Sequence, residues 1–354
     1  MAYVAVSGGK EAIEESIKLL KYHRSGTEKD LDLEAIEKKM VLLVDRVMSE
    51  AGLYSPAYAA LALKQCEGCI EEAVFLLRAY RSTLTRNYYT LPVQGKDIRV
   101  IRRISAAFKD IMGGQILGPT YDYTHRLMDF DIVKEDAYTL NEEKNQLLEK
   151  SDKEEIQKCP RVSDQLKAEG LISSFSQENT DPFDVTENML EFPSGRSARL
   201  QTLSRADTGF ISGLAYSSLR GFGSVHPTVG ELRYGAVELE VPYLFDHQQS
   251  ICIGEILITE VEALVSAEDD DQLKLAIGYG AVFGRNENKA IAMAVLDRCL
   301  ETPGDAPSHN EEFVLMHGDS IEMNGFISHL KLPHYVTFQS KLESVRKTRG
   351  GKNE

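Results

Sequence analysis

Positive charge, cysteine and uninterrupted apolar sequence are all scarce in this 354-residue chain. Its 40 Lys and Arg face 55 Asp and Glu, a formal net charge of −15. A surface of that sign repels phosphate backbones and argues against general nucleic-acid binding. A polyanionic small substrate stays possible, because it needs only a local cluster of arginines. No apolar run reaches the length of a membrane-spanning helix. The opening MAYVAVSGGKEAIEES has no basic stretch leading into an apolar one, so it does not read as a secretion signal. The five cysteines, Cys66, Cys69, Cys159, Cys252 and Cys299, are odd in number and sparse. That pattern points to reduced thiols and a cytoplasmic location. Cys66 and Cys69 form one CxxC in a helical setting, with no second pair to complete a zinc site. Structural thiols are the preferred reading. No internal repeat is present.

What the chain does contain is enough apolar sequence, 42%, for a sizeable core. Residues 1–130 read as a helical bundle that ends in a Gly- and Arg-rich segment. Ile36, Met40, Leu43, Val44, Val47 and Met48 recur at steps of three and four, one stripe on one helix. Gly52 is a stop, and Ser55-Pro56 a cap followed by proline at the first helical position. Ile70, Val74, Leu77 and Leu84 mark a third helix, with Arg78, Arg81 and Arg86 near another face. Residues 102–130, RRISAAFKDIMGGQILGPTYDYTHRLMDF, have no clean period, and their glycines and proline break any long element. Residues 131–190 are acidic and polar and read as a solvated connection of surface helix and linker. Residues 191–354 turn mixed: AVELEVPY alternates as a half-buried strand, ICIGEILITEVEALV is rich in β-branched residues, and SAEDDDQ is a surface loop. Asn286 caps a buried helix through KAIAMAVLDRCL. The basic tail VRKTRGGKNE is expected to fray. The fold class is therefore α+β, a helical N-terminal bundle followed by a mixed α/β part.

Several segments carry candidate chemistry. GYGAVFG, 278–284, places glycines before a helix, where an anion could sit. Its spacing matches neither a dinucleotide fingerprint nor a P-loop, so a tight turn into the helix is the preferred reading. Arginine forks suit phosphate oxygens. They cluster as Arg102, Arg103 and Arg126 with Lys109 and His125, as Arg196, Arg199 and Arg205, and as Arg220 and Arg233 with His226. Ion pairs with nearby acids are the alternative for any one of them. Asp110, Asp122, Asp129 and Glu231 lie in irregular segments, and Glu260 and Glu262 would share one side of a strand. His329 and His334, in SHLKLPHY, have the spacing of a zinc half-site. Pro333 forbids a regular helix there, so a turn could bring both rings to one point. Packed or surface histidines are the alternative, and two ligands need a third from elsewhere.

These segments together carry a resemblance. FLLRAYRSTL, RRISAAFKDIMGGQILGPTYDYTHRLMDF, SGRSARLQTLSRADTGFISGLAYSSLRGFGSVHP, GYGAVFGRNENKAIAMAVLDRCL and FISHLKLPHYVTFQ resemble the PhnI family of the bacterial carbon–phosphorus lyase system. The likeness covers most of the chain, except residues 131–190 and the Cys66/Cys69 pair. It implies a subunit of a core complex with PhnG, PhnH and PhnJ, built around two copies of PhnI. It implies that, with PhnG, PhnH and PhnL, such a chain converts ATP and an alkylphosphonate to adenine and a ribose 1-alkylphosphonate 5-triphosphate. Alone, such a chain would be a purine nucleosidase acting on ATP or GTP. The resemblance also implies Zn²⁺ on His329 and His334 at the contact with PhnJ, and Mg²⁺ carried with the ATP. For that reaction Arg102, Arg103, Arg196 and Arg199 are the expected triphosphate ligands, with Lys109 and Arg220 as further substrate-binding residues. Asp122 or Glu231 is expected to stabilise an oxocarbenium-like transition state, and His125 or His226 to protonate the base. A scaffold without chemistry of its own is the remaining alternative.

Overall fold

In a computed structural model of the chain, residues 9–25, 30–123, 126–134, 141–142, 144, 159–173, 182–222, 225–269 and 272–350 are described. The first five helices are α1 (Lys10–Ser25), α2 (Leu33–Lys39), α3 (Val41–Ala51), α4 (Pro56–Gln65) and α5 (Ile70–Arg81). Strand β1 (Arg99–Ile104) follows, then α6 (Val162–Ala168), α7 (Arg196–Arg205) and α8 (Thr208–Tyr216). Next come the long strands β2 (Thr228–Tyr243), β3 (Asp246–Asp269) and β4 (Gln272–Phe283). The chain closes with α9 (Glu287–Glu301), α10 (Glu311–His317), α11 (Ser320–Ser328) and α12 (Tyr335–Gly350). The α+β class and the helix-first order are as the sequence predicts.

One compact unit consists of residues 1–84, 205–207 and 315–354. The stripe from Ile36 to Met48 predicts one helix, and the structure makes two. Met40, at φ −105° and ψ 40°, is at once the C-cap of α2 and the N-cap of α3, and its side chain stands exposed. The other predicted positions hold, with Ile36, Val44, Val47 and Met48 buried against Ala59, Leu63, Val74 and Leu77. Full burial of such side chains contributes roughly 1.5–3 kcal/mol each. Gly52 ends α3 in the left-handed region, at φ 63°, and Ser55 caps α4 by accepting from Tyr58 N. Leu84 lies beyond α5 and is exposed, because the helix ends at Arg81. The C-terminal segment also departs from expectation, being helical in α12 as far as Gly350.

The second unit, 85–204 and 208–314, is built on an antiparallel sheet in the order β1-β2-β3-β4. Two sequence expectations are corrected here. Arg99–Ile104, which overlaps the start of the aperiodic stretch, is a strand paired with β2. GYGAVFG is not a turn but the end of β4, and only Gly284, at φ 67°, bends the chain. Gly278 and Gly280 face α9 instead. A Cβ on either would meet the carbonyl oxygens of Ala294 and Ala290 at 2.1 Å, so the helix packs directly on strand backbone. The α9 interior, including Ala290, Met293, Ala294 and Leu296, is buried as predicted. Asn286 sits at its N-cap, but its amide donates to Phe283 O at 2.7 Å, and no side-chain cap bond forms.

The expected acidic connection is in part a built element. Leu166 of α6 packs with Leu264 and Ile277, and Ile172 forms a bridge with Leu275. The burial of Leu166 is what a plain solvated linker would lack. Much of the rest of 131–190 lies outside the described residues. SAEDDDQ, expected as a surface loop, is instead strand where it is described: Ser266–Asp269 end β3 and Gln272 opens β4, paired with each other, while 270–271 lie outside the described residues.

Candidate functional site

Arg102 and Arg103 are consecutive on a strand, so they point to opposite faces of the sheet. Arg102 is 1% exposed and lies on the α9 side. Its Nη2 donates to Asp122 Oδ2 at 2.5 Å, its Nε pairs with Glu287 Oε1 at 2.8 Å, and its Nη1 donates to Leu117 O. The segment supplying Leu117 and Asp122 crosses directly over β1. Gly118 permits this, since at φ 59° an added Cβ would lie 2.9 Å from Arg102 Cβ and Ile101 O. Thr120 Oγ1 donates to Asp122 Oδ2 at 2.6 Å, and exposed Arg126 lies 3.7 Å from Asp122 Oδ1.

One buried guanidinium thus holds two carboxylates in unlike surroundings. The Thr120 hydroxyl, with Arg102 next, keeps the Asp122 carboxyl below the usual range. Burial pushes Glu287 above it, and Arg102 offsets this only in part. Opposed shifts on neighbouring carboxyls are the pattern that separates acid from base. Asp122 keeps 46% of its side chain exposed and Glu287 19%, so the pair opens to solvent while its arginine does not.

Arg103 lies on the other face in an enclosed network. Its Nε donates to Glu231 Oε1 at 2.5 Å, its Nη1 to Met112 O and Gly114 O, and its Nη2 to Pro160 O. Arg233 joins the same Glu231 at 2.9 Å and donates to the carbonyls of Gly95, Cys159 and Pro160. Glu231 Oε2 accepts from Val162 N at the start of α6. Arg161 clamps Glu260 and Glu262, which share one side of β3 as predicted. Tyr279 is 2.8 Å from Glu260 Oε1, and burial raises both groups above their ordinary values. Three arginines and three glutamates therefore dock Cys159–Val162 on the sheet.

The third arginine set belongs to α7 and pairs with acids near the C-terminal end of α9. Arg196 forms a fork with Asp297 at 2.6 and 3.0 Å, and Asp297 also accepts from Tyr279 N. Arg199 pairs with Glu301. Asp297 is ten residues beyond Glu287, about 15 Å along a helix. A single triphosphate cradle on Arg102, Arg103, Arg196 and Arg199 is thus corrected: the four lie on two sheet faces and at both ends of α9. Of the other expected residues, Lys109 and His226 are exposed, and Arg220 donates to Tyr216 Oη at 3.1 Å and lies over its ring. His125 lies outside the described residues.

His329 and His334 do come together, in the other unit. A 3-10 turn, His329–Lys331, and Pro333 separate α11 from α12 and set the ring centroids 5.5 Å apart, 58° from coplanar. Each Nδ1 faces a backbone carbonyl, His329 that of Phe326 and His334 that of Leu332 at 2.6 Å. An Nδ1–H held by a carbonyl leaves the Nε2 lone pair for a metal. Two imidazoles on one tetrahedral zinc, with Zn–N of about 2.0 Å, hold their centroids roughly 5 Å apart. The observed spacing of the pair is close to that value. Among the described residues no third His, Cys, Asp or Glu joins them.

Glu287, Thr120 and Arg161 were not singled out by sequence reasoning. An acidic residue in the first turn of a helix is explained by the helix dipole alone, which hides Glu287. Thr120 is one polar residue among many, and Arg161 follows a run of Lys and Glu that reads as solvated surface.

The chain matches the family model described as bacterial phosphonate metabolism protein (PhnI) over residues 2–352. It is 42% identical to the alpha-D-ribose 1-methylphosphonate 5-triphosphate synthase subunit PhnI of Escherichia coli, covering 99% of each chain. Identity to the protein of the same name from Rhizobium meliloti is also 42%, covering 98% of this chain and 95% of that one. The HtxH protein of Stutzerimonas stutzeri is 45% identical, over 98% of this chain and 96% of its own.

Proposed function

Because the chain belongs to the PhnI family of bacterial phosphonate metabolism proteins, we propose that it is a subunit of a synthase that replaces the adenine of ATP by an alkylphosphonate at ribose C1′. The product would be a ribose 1-alkylphosphonate 5-triphosphate. The observation that carries this reading is the end-to-end likeness to two chains that bear the synthase-subunit name. A β-nucleotide that gives an α-product inverts at C1′, so a phosphonate oxygen attacks in one step on the face opposite the base. Positive charge builds on the ribose, and a nearby carboxylate lowers that barrier.

Asp122 fits that carboxylate role best among the expected residues. Its carboxyl is held below the usual range, half exposed and fixed by Arg102 and Thr120. Glu231 is 3% exposed and committed to Arg103, Arg233 and Val162 N, which suits it to holding α6 on the sheet. The triphosphate would arrive with Mg²⁺, and exposed Arg126 and Lys109 are the cations of this segment that have solvent-facing charge.

His329 and His334 would hold Zn²⁺ through Nε2, at a contact with PhnJ that supplies the missing ligands. Bound there, the ion would join the two subunits. Phe326, Ile327, Leu330, Tyr335 and Val336 stand exposed around the pair, and a partner surface would cover them. The assembly would also include PhnG, PhnH and PhnL and a second copy of this chain, in the cytoplasm. No helix among the described residues is long and apolar enough to cross a membrane.

The test is product analysis of the co-purified assembly given MgATP and methylphosphonate. Adenine and the ribose phosphonate should appear together, in equal amounts, by chromatography and phosphorus NMR. Adenine released by the chain alone, without phosphonate, would favour a stand-alone purine nucleosidase. No purine release under any condition would favour the scaffold reading.

A further inference from the structure

We infer that Glu287 is the proton donor to the departing purine, a role that rests on the proposed displacement reaction. Glu287 opens α9 and shares the Arg102 guanidinium with Asp122. One Glu287 oxygen faces Arg102 Nε at 2.8 Å, and the other takes no hydrogen bond among the described residues. A carboxyl with one oxygen fixed and one uncommitted can present an O–H to a ligand beside the pair. Asp122 is less suited to this, because the Thr120 hydroxyl and then Arg102 and Arg126 hold its carboxyl below the usual range.

The charge arrangement sets the two carboxyls apart. Arg102 is buried and supplies one positive charge for two acids. Arg285 also favours the ionised form of Glu287, Asp122 opposes it, and Arg126 faces solvent beside Asp122. Burial outweighs Arg102 and Arg285 and raises the Glu287 carboxyl above its ordinary value. A carboxyl so raised remains protonated to higher pH than an ordinary glutamate.

The step balances as follows. The C1′–N9 bond breaks, and its electron pair leaves with the purine. Glu287 transfers its proton to a purine ring nitrogen and becomes a carboxylate. A phosphonate oxygen forms the new C1′–O bond, and the ester it makes carries one negative charge fewer. Solvent then returns a proton to Glu287.

The experiment compares E287Q, E287D and D122N with the natural chain in the co-purified assembly, on ATP and on 7-methylguanosine triphosphate. The methylated base is already cationic and leaves without a proton. E287Q should slow purine release from ATP by about 100-fold or more, as expected for a lost general acid. It should also lose the decline in rate at alkaline pH, and it should recover near-natural rates on the methylated nucleotide. D122N should be slow on both substrates. E287D keeps a carboxyl and should keep the alkaline limb, which separates chemistry from folding. Undiminished release from ATP by E287Q, or an equal loss on both nucleotides, overturns the assignment. An assembly of the natural chain that releases no purine from either nucleotide overturns the displacement reading itself, and this inference falls with it.

Discussion

Arg102 and Asp122, 20 residues apart in sequence, are joined at 2.5 Å across a glycine crossing that puts a loop against β1. The pair is asymmetric, with the arginine buried and the aspartate half exposed. Arg102 presents two edges of one plane to Asp122 and Glu287, and a lysine would offer a single point charge. Arg102→Lys should therefore lower purine release by the assembly on the order of 100-fold while the far-ultraviolet circular dichroism stays the same. Full activity in that variant would remove this cluster from the reaction.

The Arg103–Glu231 pair should behave oppositely, as a matter of stability. Both side chains are essentially excluded from solvent. Glu231→Gln leaves Arg103 and Arg233 short of a counter-charge, and breaking a buried pair costs about 3–5 kcal/mol. The urea midpoint should fall accordingly. A double change of Arg103 and Glu231 to Met should not restore it, because the carbonyls of Met112 and Gly114 lose their donor as well and Pro160 keeps only Arg233. A midpoint unchanged by Glu231→Gln would mean the network does not hold the unit together.

Zinc should bind this chain weakly when alone and tightly in the assembly with PhnJ. His329→Ala or His334→Ala should remove about one equivalent of metal per site, read by elemental analysis, and leave the thermal unfolding of the lone chain nearly unchanged. Tight stoichiometric zinc in the lone chain would mean that all its ligands are supplied here.

Acid should loosen the helical unit through Asp319. Burial opposes its ionisation, but Arg78 and the N–H groups of Ile321 and Glu322 outweigh this, and its pKa lies below the ordinary value. A carboxyl depressed in the folded state stabilises above its unfolded pKa, and that stability is lost as pH falls through the folded one. Between neutrality and about pH 4 the contribution is retained, and below that it disappears. Asp319→Asn should be less stable at pH 7 and should lose less stability on acidification. Parallel stability curves for the two proteins between pH 7 and pH 2 would contradict this.

Local features were legible in the sequence where local physics decides them. The stripe through Val44, Val47 and Met48 gave its helix face, Gly52 its end, and Ser55-Pro56 the next start. The proline between His329 and His334 announced a turn, and their rings meet. The arginines were opaque because their partners are remote. Glu231 lies 128 residues from Arg103, and Glu260 lies 99 from Arg161. Nothing in a local window tells a phosphate-binding arginine from one that is neutralised by a distant strand. GYGAVFG misled for a related reason: Gly278 and Gly280 are required by a helix that follows them, not by a turn within them.

The glycine contact also makes α9 a ruler. Its distance from β4 is set by two backbones, so no side chain between them can yield. Glu287 at one end reads the position of Arg102, and Asp297 reads that of Arg196. Inserting one residue between them would turn one end by about 100° and advance it about 1.5 Å. Either ion pair could then be kept, but not both. A one-residue insertion or deletion within 287–297 should therefore uncouple one of the two ion pairs even where every side chain is kept.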